Sequence, residues 1–549
     1  MKRSAGFIVL VSAAFAAWII LLAILAAFSG RDPVFHDSLG NVDVTGQYVS
    51  EIPLWRYVME PFAGFAYTIV QYPIDALICI VIGYAALRVV LLLLERGYFR
   101  ENVKAKVLAT LLRDTTNFFC KYIGIGLAIG LAILLPGWAI AGFHFFMITY
   151  MGGVRILVGY GLVILGIKIA WNAAILFRQR GVLRVAPAPS WTSLPRRSTK
   201  YWACKVPEVF ARELRYTIAT IFVVLVAFFT LAGARLPNYI TRTSLGPNEH
   251  LIDFHVHTWY SDGSLSPADR VEWYIQQGIT GAAFTDHDNM RGAIEAKQYV
   301  EQNNRPFVVI LAQEYTDLVH DIHLNIYGTT EQFAPLDQYS PLYPDVHFVN
   351  VSDCIMAAKV AGGFVIVNHY SGLPGSPYTY ADLLSWGIDG FELVNGGHEH
   401  SDDIRQFCND NGLACVGGTD EHMNKDVNTF VKITLPDPSN VGAMFAALKL
   451  NTHQVVLVDY TTNPMSLGGS IRRVNLVRPL LNYFLNLDGG QYASWIAWSG
   501  LLFVSFLLFT SAVRRMDACS MERKILIDAR KKWHLLRQLA VRIASAGGR

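Results

Sequence analysis

Histidines and carboxylates recur through one stretch of this chain, among them His255, His257, His287, Glu314, His369, Asp420 and His422. Imidazole and carboxylate ligands suit Zn, Mn or Fe. His255 and His257 are two residues apart, as are Asp420 and His422. On an extended strand that spacing turns both side chains to one face. A lone histidine is more often a core or surface residue than a ligand. Two such pairs, with further histidines and a glutamate at the ends of apolar runs, are what a multinuclear metal site requires.

Those residues need elements that bring them together. Short apolar runs alternate with helical patterns, which suggests βα units. Strands are expected over 251–256, 281–284, 307–312, 324–327, 364–367, 390–394 and 414–416, and helices over 267–277 and 291–302. The first strand ends in His255-Val256-His257, the second in Thr285-Asp286-His287 and the third in Glu314. His369 follows a later strand and Asp420-Glu421-His422 another. In βα barrels, active sites form at the C-terminal ends of the strands, so ligands distant in the chain would converge on one pocket.

The same stretch is strongly acidic. From Glu249 to Asp459 there are 28 Asp and Glu against 9 Lys and Arg, a net of −19, with 12 of the 15 histidines. The rest of the chain holds 15 acids and 37 bases, a net of +22. A domain this acidic argues against nucleic acid as a partner, because sequence-independent binding needs Lys and Arg against phosphate. The seven cysteines show neither metal-ligand nor redox spacing. Three of them, Cys354, Cys408 and Cys415, fall in the acidic stretch and cannot all pair. Cys408 and Cys415 read as two buried thiols rather than a disulfide.

The whole chain is 52% hydrophobic and 16% charged. A soluble domain carries about 25% charged residues, so part of this chain belongs in lipid. A spanning helix needs about 20 mostly apolar residues. The stretches 7–28, 74–94, 122–145, 156–177, 217–234 and 495–513 qualify, the first as an uncleaved anchor rather than a signal peptide. Lys and Arg cluster at the N-terminus and in connections 96–121, 178–205 and 514–532. By the positive-inside rule those segments and both termini are cytoplasmic, and the acidic domain lies outside a bacterial inner membrane, in the periplasm. Asp75, Arg88, His144 and Lys168 lie within or near the spans, either as functional groups or as snorkelling and paired side chains. The division expected is 1–245 for an N-terminal membrane region of about five helices, 246–465 for the catalytic domain, 466–491 for a linker, 492–513 for a last span and 514–549 for a basic tail.

The metal-ligand run carries a family resemblance. His255-Val256-His257-Thr258, with Ser261-Asp262-Gly263 and Pro267, resembles the opening motif of the polymerase-and-histidinol-phosphatase (PHP) superfamily. Thr285-Asp286-His287-Asp288 is similar to its second motif. Gln313-Glu314, His323 before Leu324, His369 after Val367-Asn368, and Gly418-Thr419-Asp420-Glu421-His422 resemble the remaining motifs, in order. The resemblance spans roughly residues 250–460 and none of the membrane region. It implies a distorted (β/α)7 barrel, so the fold class expected is an α-helical transmembrane bundle plus an α/β domain of that kind. It also implies two or three divalent ions. The first would be held by His255, His257, Glu314 and Asp420, the second by Glu314, His323 and His369, and the third by Asp262, His287 and His422. Tyr370 stands where the family has a proline, which bears on the geometry of that loop.

Clustered divalent cations lower the pKa of a bound water toward about 7 and clamp phosphoryl oxygens against developing charge. The reaction expected is hydrolysis of a phosphomonoester, on a small molecule or a lipid, by metal-activated hydroxide. Arg291, four residues past His287, is the first candidate for a phosphate contact. His398, His400, Arg405 and Lys425 follow, each reading equally well as a solvated surface residue. A ligand-shell histidine or His398 would protonate the leaving group. Two other classes fit the same residues: a phosphodiesterase or amidohydrolase, and a non-enzymatic receptor or assembly module that keeps its metals for stability. Linker residues Arg472, Arg473 and Arg478, interleaved with apolar ones, suit an anionic lipid surface.

Overall fold

Burial on both faces decides which apolar runs become interior strands. In the computed structural model Leu251, Ile252, Phe254 and Val256 are all fully buried, as expected of a strand covered on two sides. The structure describes residues 2–30, 32–70, 239–317, 320–335, 350–370, 378–400, 402–422, 426–460, 463–465 and 478–508, with a few isolated positions elsewhere.

In chain order the elements are α1 (Lys2–Phe28), β1 (Val34–Asp37), β2 (Val42–Asp43), β3 (Val49–Glu51), α2 (Leu54–Val70), β4 (Ile240–Arg242), β5 (Glu249–Val256), α3 (Pro267–Gln277), β6 (Gly281–Phe284), α4 (Arg291–Gln302), β7 (Val308–Asp317) and β8 (Ile322–Tyr327). They continue with β9 (Ala334–Pro335), β10 (His347–Phe348), α5 (Val351–Val360), β11 (Phe364–Val367), α6 (Tyr380–Trp386), β12 (Gly390–Asn395), β13 (His398–Glu399), α7 (Asp402–Asn411), β14 (Ala414–Gly418), β15 (Thr429–Thr434), α8 (Val441–Lys449), β16 (Gln454–Asp459) and α9 (Arg478–Leu485). A last apolar helix, α10, covers Gly489–Leu508.

Local chemistry sets the ends of α3. The Ser266 side chain accepts from Asp269 N, Pro267 follows it in the first turn, and Gly278 closes the helix at φ +84°. A Cβ at Gly278 would also lie 2.4 Å from the Thr241 carbonyl oxygen. Trp273 and Tyr274 of α3 and Ala293 and Ala296 of α4 are buried in one cluster with Val256 and Phe284, fixing both helices on the sheet.

Strands β5, β6 and β7 are parallel neighbours. β8 returns antiparallel between β7 and β11, and β11, β12 and β14 run parallel again. Six of these seven strands therefore end on the same side. The chain just past β14 meets β5 at one isolated parallel bridge, Val256 with Glu421, and Asp420 N donates to His255 O at 2.9 Å. The cause is that β15 already pairs along the free edge of β5, Leu251 with Lys432 and Ile252 with Val431. The pairings thus give a mixed α/β domain, without a regular ladder closing β14 onto β5.

The sheet continues through β15 and β16 to β1. Residues ahead of position 246 contribute directly. β1 pairs with β16, Phe35 opposite Val458 and Asp37 opposite Val456. Phe35 stacks on Tyr48 with ring centroids 4.9 Å apart, and Tyr48 meets Phe430 edge-on at 5.4 Å.

Two helices among the described residues are long and apolar enough to cross a membrane, Ile8–Phe28 within α1 and α10. They touch: Phe15 stacks on Phe503, Trp18 meets Trp495, and Trp18 Nε1 donates to Ser499 Oγ at 3.0 Å. α2 packs on the same helix, with Trp498 Nε1 donating to Val58 O. The described residues therefore do not form the six-helix bundle expected. The spans 74–94, 122–145, 156–177 and 217–234, with Asp75, Arg88 and His144, lie outside the described residues. Lys168 is described, helical and half-buried. The 466–491 segment is not a plain linker, since it contains α9, and the last apolar helix begins at Gly489 rather than 495. Arg472 and Arg473 lie outside the described residues.

Candidate metal centre

Two buried aspartates hold the backbone that carries the ligand-type side chains. Asp253 Oδ1 accepts from His255 N and from Thr419 N, both at 3.0 Å, so it ties the end of β5 to the end of β14. Asp286 accepts from Thr258 N and Oγ1, each at 2.7 Å, and from Ser261 Oγ at 2.8 Å. That shapes the turn between His257 and Asp262.

On this frame the expected ligands converge. His255 Nε2 and His257 Nε2 are 3.1 Å apart, and Asp420 Oδ1 is 3.4 and 3.0 Å from them. Asp262 Oδ1 lies 3.1 Å from His422 Nε2 and 3.7 Å from both His287 Nε2 and His257 Nδ1. Glu314 sits between. Its Oε2 is 2.9 Å from His287 Nδ1, 3.4 Å from His257 Nε2 and 3.5 Å from His255 Nε2. Its Oε1 is 2.9 Å from His323 Nδ1 and 3.5 Å from His369 Nε2.

Three sets could each hold a cation: His255, His257 and Asp420; His287, Glu314 and His323; and His257, Asp262, His287 and His422. This differs from the partition the resemblance implied, because His257 and His287 are each shared between two sets. His369 belongs to none of the three, although its ring faces Glu314.

Hydrogen bonds fix several tautomers. His422 Nδ1 lies 2.7 Å from the Asp420 carbonyl oxygen, which only accepts, so Nδ1 carries the proton and Nε2 faces Asp262. His255 Nδ1 lies 2.8 Å from Glu392 Oε1, with the same consequence for its Nε2. The charges are strongly coupled. Burial raises the Glu314 carboxyl, but His287, His255 and His323 outweigh it and hold it well below the usual range. Asp420 and Asp262 are likewise held low against burial, Asp420 chiefly by His255 and Asp262 chiefly by His422. Burial pushes His257 down to about 4, helped by His422 and His287. Burial also opposes a charge on His422, yet Asp262 lifts it to about 9. Protons here occupy a site whose ionised carboxylates and clustered imidazoles are the donor set of a divalent cation, and such binding displaces protons.

The other sequence candidates divide. Arg291 is exposed at the start of α4, its guanidinium 4.5 Å over the ring of Tyr260, whose hydroxyl donates to Glu295. Tyr260 lies between His257 and Asp262, so Arg291 stands beside the cluster. His398 is exposed on β13, and His400 is half-buried, its burial lowering its pKa. Arg405 is turned elsewhere, donating to Ser38 O at 2.8 Å and pairing with Asp402 at 2.6 Å. Lys425 lies outside the described residues. Cys354, Cys408 and Cys415 are buried free thiols. Sequence reading passed over Asp253 and Glu392, and gave Asp286 no role beyond its place in a motif. Their signal is a lone acid inside or at the end of an apolar run, as in Leu251-Ile252-Asp253-Phe254 and Phe391-Glu392-Leu393-Val394.

Residues 253–335 match the family model described as the PHP domain. The match takes in six of these side chains, His255, His257, Asp262, His287, Glu314 and His323. No curated protein matches the chain. Among solved structures, it is similar to a two-domain protein containing a predicted PHP-like metal-dependent phosphoesterase from Bacteroides vulgatus. The identity is 20% and the TM-score 0.32, over 38% of this chain and 64% of that one. It is also similar to a candidate metal-dependent phosphoesterase from Bifidobacterium adolescentis, at 20% identity and TM-score 0.27, over 36% of this chain and 96% of that one. A third is an amidohydrolase from Chromobacterium violaceum with bound sulfate and no metal, at 19% identity and TM-score 0.26, over 36% of this chain and 96% of that one. Likenesses this low decide no activity.

Proposed function

We propose that this chain is a membrane-anchored, metal-dependent phosphoesterase that hydrolyses a phosphomonoester. The observation that carries the reading is Glu314, fully enclosed, with one oxygen toward His255, His257 and His287 and the other toward His323 and His369. A carboxylate placed so would offer an oxygen to ligand histidines on either side of it. The nine residues His255, His257, Asp262, His287, Glu314, His323, His369, Asp420 and His422 would hold two or three Zn, Mn or Fe ions. When bound, such ions supply an activated water and stabilise charge on phosphoryl oxygens. The chain's own part is to hold the Nδ1 protons of His255 and His422 on Glu392 and the Asp420 carbonyl, so that Nε2 is the nitrogen left for a cation, to hold Asp420 and Glu314 ionised, and to present Arg291 to the phosphate.

The strand order β5, β6, β7, β8, β11, β12 and β14, with the single bridge of Val256 to Glu421, supports a distorted barrel as the scaffold. The contact of α1 with α10 supports an anchor on both sides of the domain, and the Lys and Arg of the flanking segments support a domain in the periplasm and termini in the cytoplasm. Held close to the bilayer in this way, the centre suits a lipid-linked phosphate in the outer leaflet, with membrane lipids as its surroundings. The test is a panel of water-soluble phosphomonoesters, lipid phosphates, phosphodiesters and amides, assayed on the purified, metal-loaded full chain in detergent. The reading expects turnover of monoesters, lipid phosphates foremost. Turnover of amides or diesters alone would overturn it.

A further inference from the structure

One carboxylate in the cluster touches the ligands from behind. Glu392 of β12 has no solvent exposure and belongs to none of the three candidate cation sets. Its Oε1 is 2.8 Å from His255 Nδ1. Its Oε2 accepts from His369 N and from Asn395 Nδ2, each at 3.0 Å. The same Asn395 nitrogen lies 3.4 Å from Asp420 Oδ2. Between two carboxylates, the donor end of that amide is the end electrostatics requires.

Two of the three positions reached are conformationally costly. His369 has φ +26° and Asp420 φ +49°, values that non-glycine residues keep only where their surroundings over-determine them. Glu392 holds His369 by its backbone N–H; the backbone N–H of Asp420 is held by His255 O, and Glu392 reaches its carboxylate through the Asn395 amide.

We propose that Glu392 is the positioning residue of the metal centre: it keeps the His255 proton on Nδ1, so that Nε2 offers its lone pair inward, and it fixes the backbone of His369 and the carboxylate of Asp420. This rests on the metal-dependent reading above. A carboxylate accepts and never donates, so it can face three donors at once; an amide of the same shape cannot. In Glu392→Gln, one orientation sets the amide NH2 against His255 Nδ1 and drives the ring proton to Nε2, into the cation's place. The other sets NH2 against the His369 N–H and the Asn395 NH2. Either way, one ligand is lost or loosened.

The experiment titrates the full chain in detergent with Co²⁺ against a chelator and records the visible spectrum at saturation. A wild-type chain that takes up no Co²⁺ overturns the metal reading, and this inference with it. Given binding, Glu392→Gln should weaken Co²⁺ affinity about 10- to 100-fold, as loss of such outer partners does, and should change the saturated spectrum. Unchanged affinity overturns the inference. So does a lower thermal stability with an unchanged saturated spectrum, which is what a merely structural role predicts. Asn395→Ala, on the β12–β13 turn, removes only the arm to Asp420 and should weaken affinity by a smaller factor. If Glu392→Gln does not fold, that variant decides, and affinity equal to wild type overturns the relay.

Discussion

Replacing Phe35 by Ala tests whether the segment between α1 and α2 is part of the sheet that carries the ligands. Phe35 is 1% exposed and clusters with Tyr48, Leu251, Phe430 and Val458. Truncating a buried Phe costs about 3–5 kcal/mol. Only the two-residue β2 lies outside β1, so the site can partly collapse and the lower figure applies. At about 1.4 kcal/mol per tenfold, a loss of roughly 3 kcal/mol raises the local opening constant about a hundredfold. The reporter is Val455. Its amide donates to Asp37 Oδ1 at 3.0 Å, and its carbonyl accepts from Ser38 N at 2.8 Å. Hydrogen exchange measures openings of this kind residue by residue. Phe35→Ala should speed exchange at Val455 about a hundredfold and leave β6 amides such as Ala283 slow. Unchanged exchange at Val455 would refute the placement of β1 in this sheet. One practical consequence is that a soluble fragment of 246–465 alone leaves the β16 edge uncovered.

Arg291→Ala should lower kcat/KM on a phosphomonoester about 10- to 100-fold, the worth of roughly 1.5–3 kcal/mol for a hydrogen bond to a charged group. Metal content should stay the same, and unchanged kinetics would remove Arg291 from the site. Cys408 and burial both raise the Cys415 thiol, and burial raises Cys354. Both should therefore resist alkylation at neutral pH until the chain is denatured, and rapid native-state labelling, read by mass, would contradict that. For topology, an alkaline-phosphatase reporter should be active when fused after Met465 and inactive after Arg523. The opposite pattern would reverse the orientation.

How much the sequence revealed follows from what each element buries. β5, β6, β11, α3 and α4 were legible nearly to the residue, because the strands are covered on both faces, α3 is capped by Ser266 and Gly278, and α4 buries Ala293 and Ala296 on one face. β7 is longer than its apolar run. It continues to Asp317 through Gln313, which clasps the Phe333 backbone, and Glu314 and Thr316, which face the site; these polar side chains hide the strand from a reading by hydrophobicity. β1 is four residues long and its partner β16 stands some four hundred residues later, so no local pattern announces the pairing. The ligands were legible because their types and spacing are rare together. Their sharing was not: that His257 and His287 each face two sets depends on ring orientation, which the Ser261, Thr316 and Glu314 contacts decide. Glu392 was hidden among apolar neighbours, since a single buried acid looks like an exception until its partners are seen.

The central claim is that this histidine–carboxylate cluster holds catalytic metal. It is tested most directly by elemental analysis and phosphomonoesterase assay of the same purified preparations, wild type beside a His257→Ala, Asp420→Ala double variant. The wild type should carry more than one equivalent of Zn, Mn or Fe with activity, and the variant should lose most of both. Metal content and turnover equal in the two proteins would contradict it.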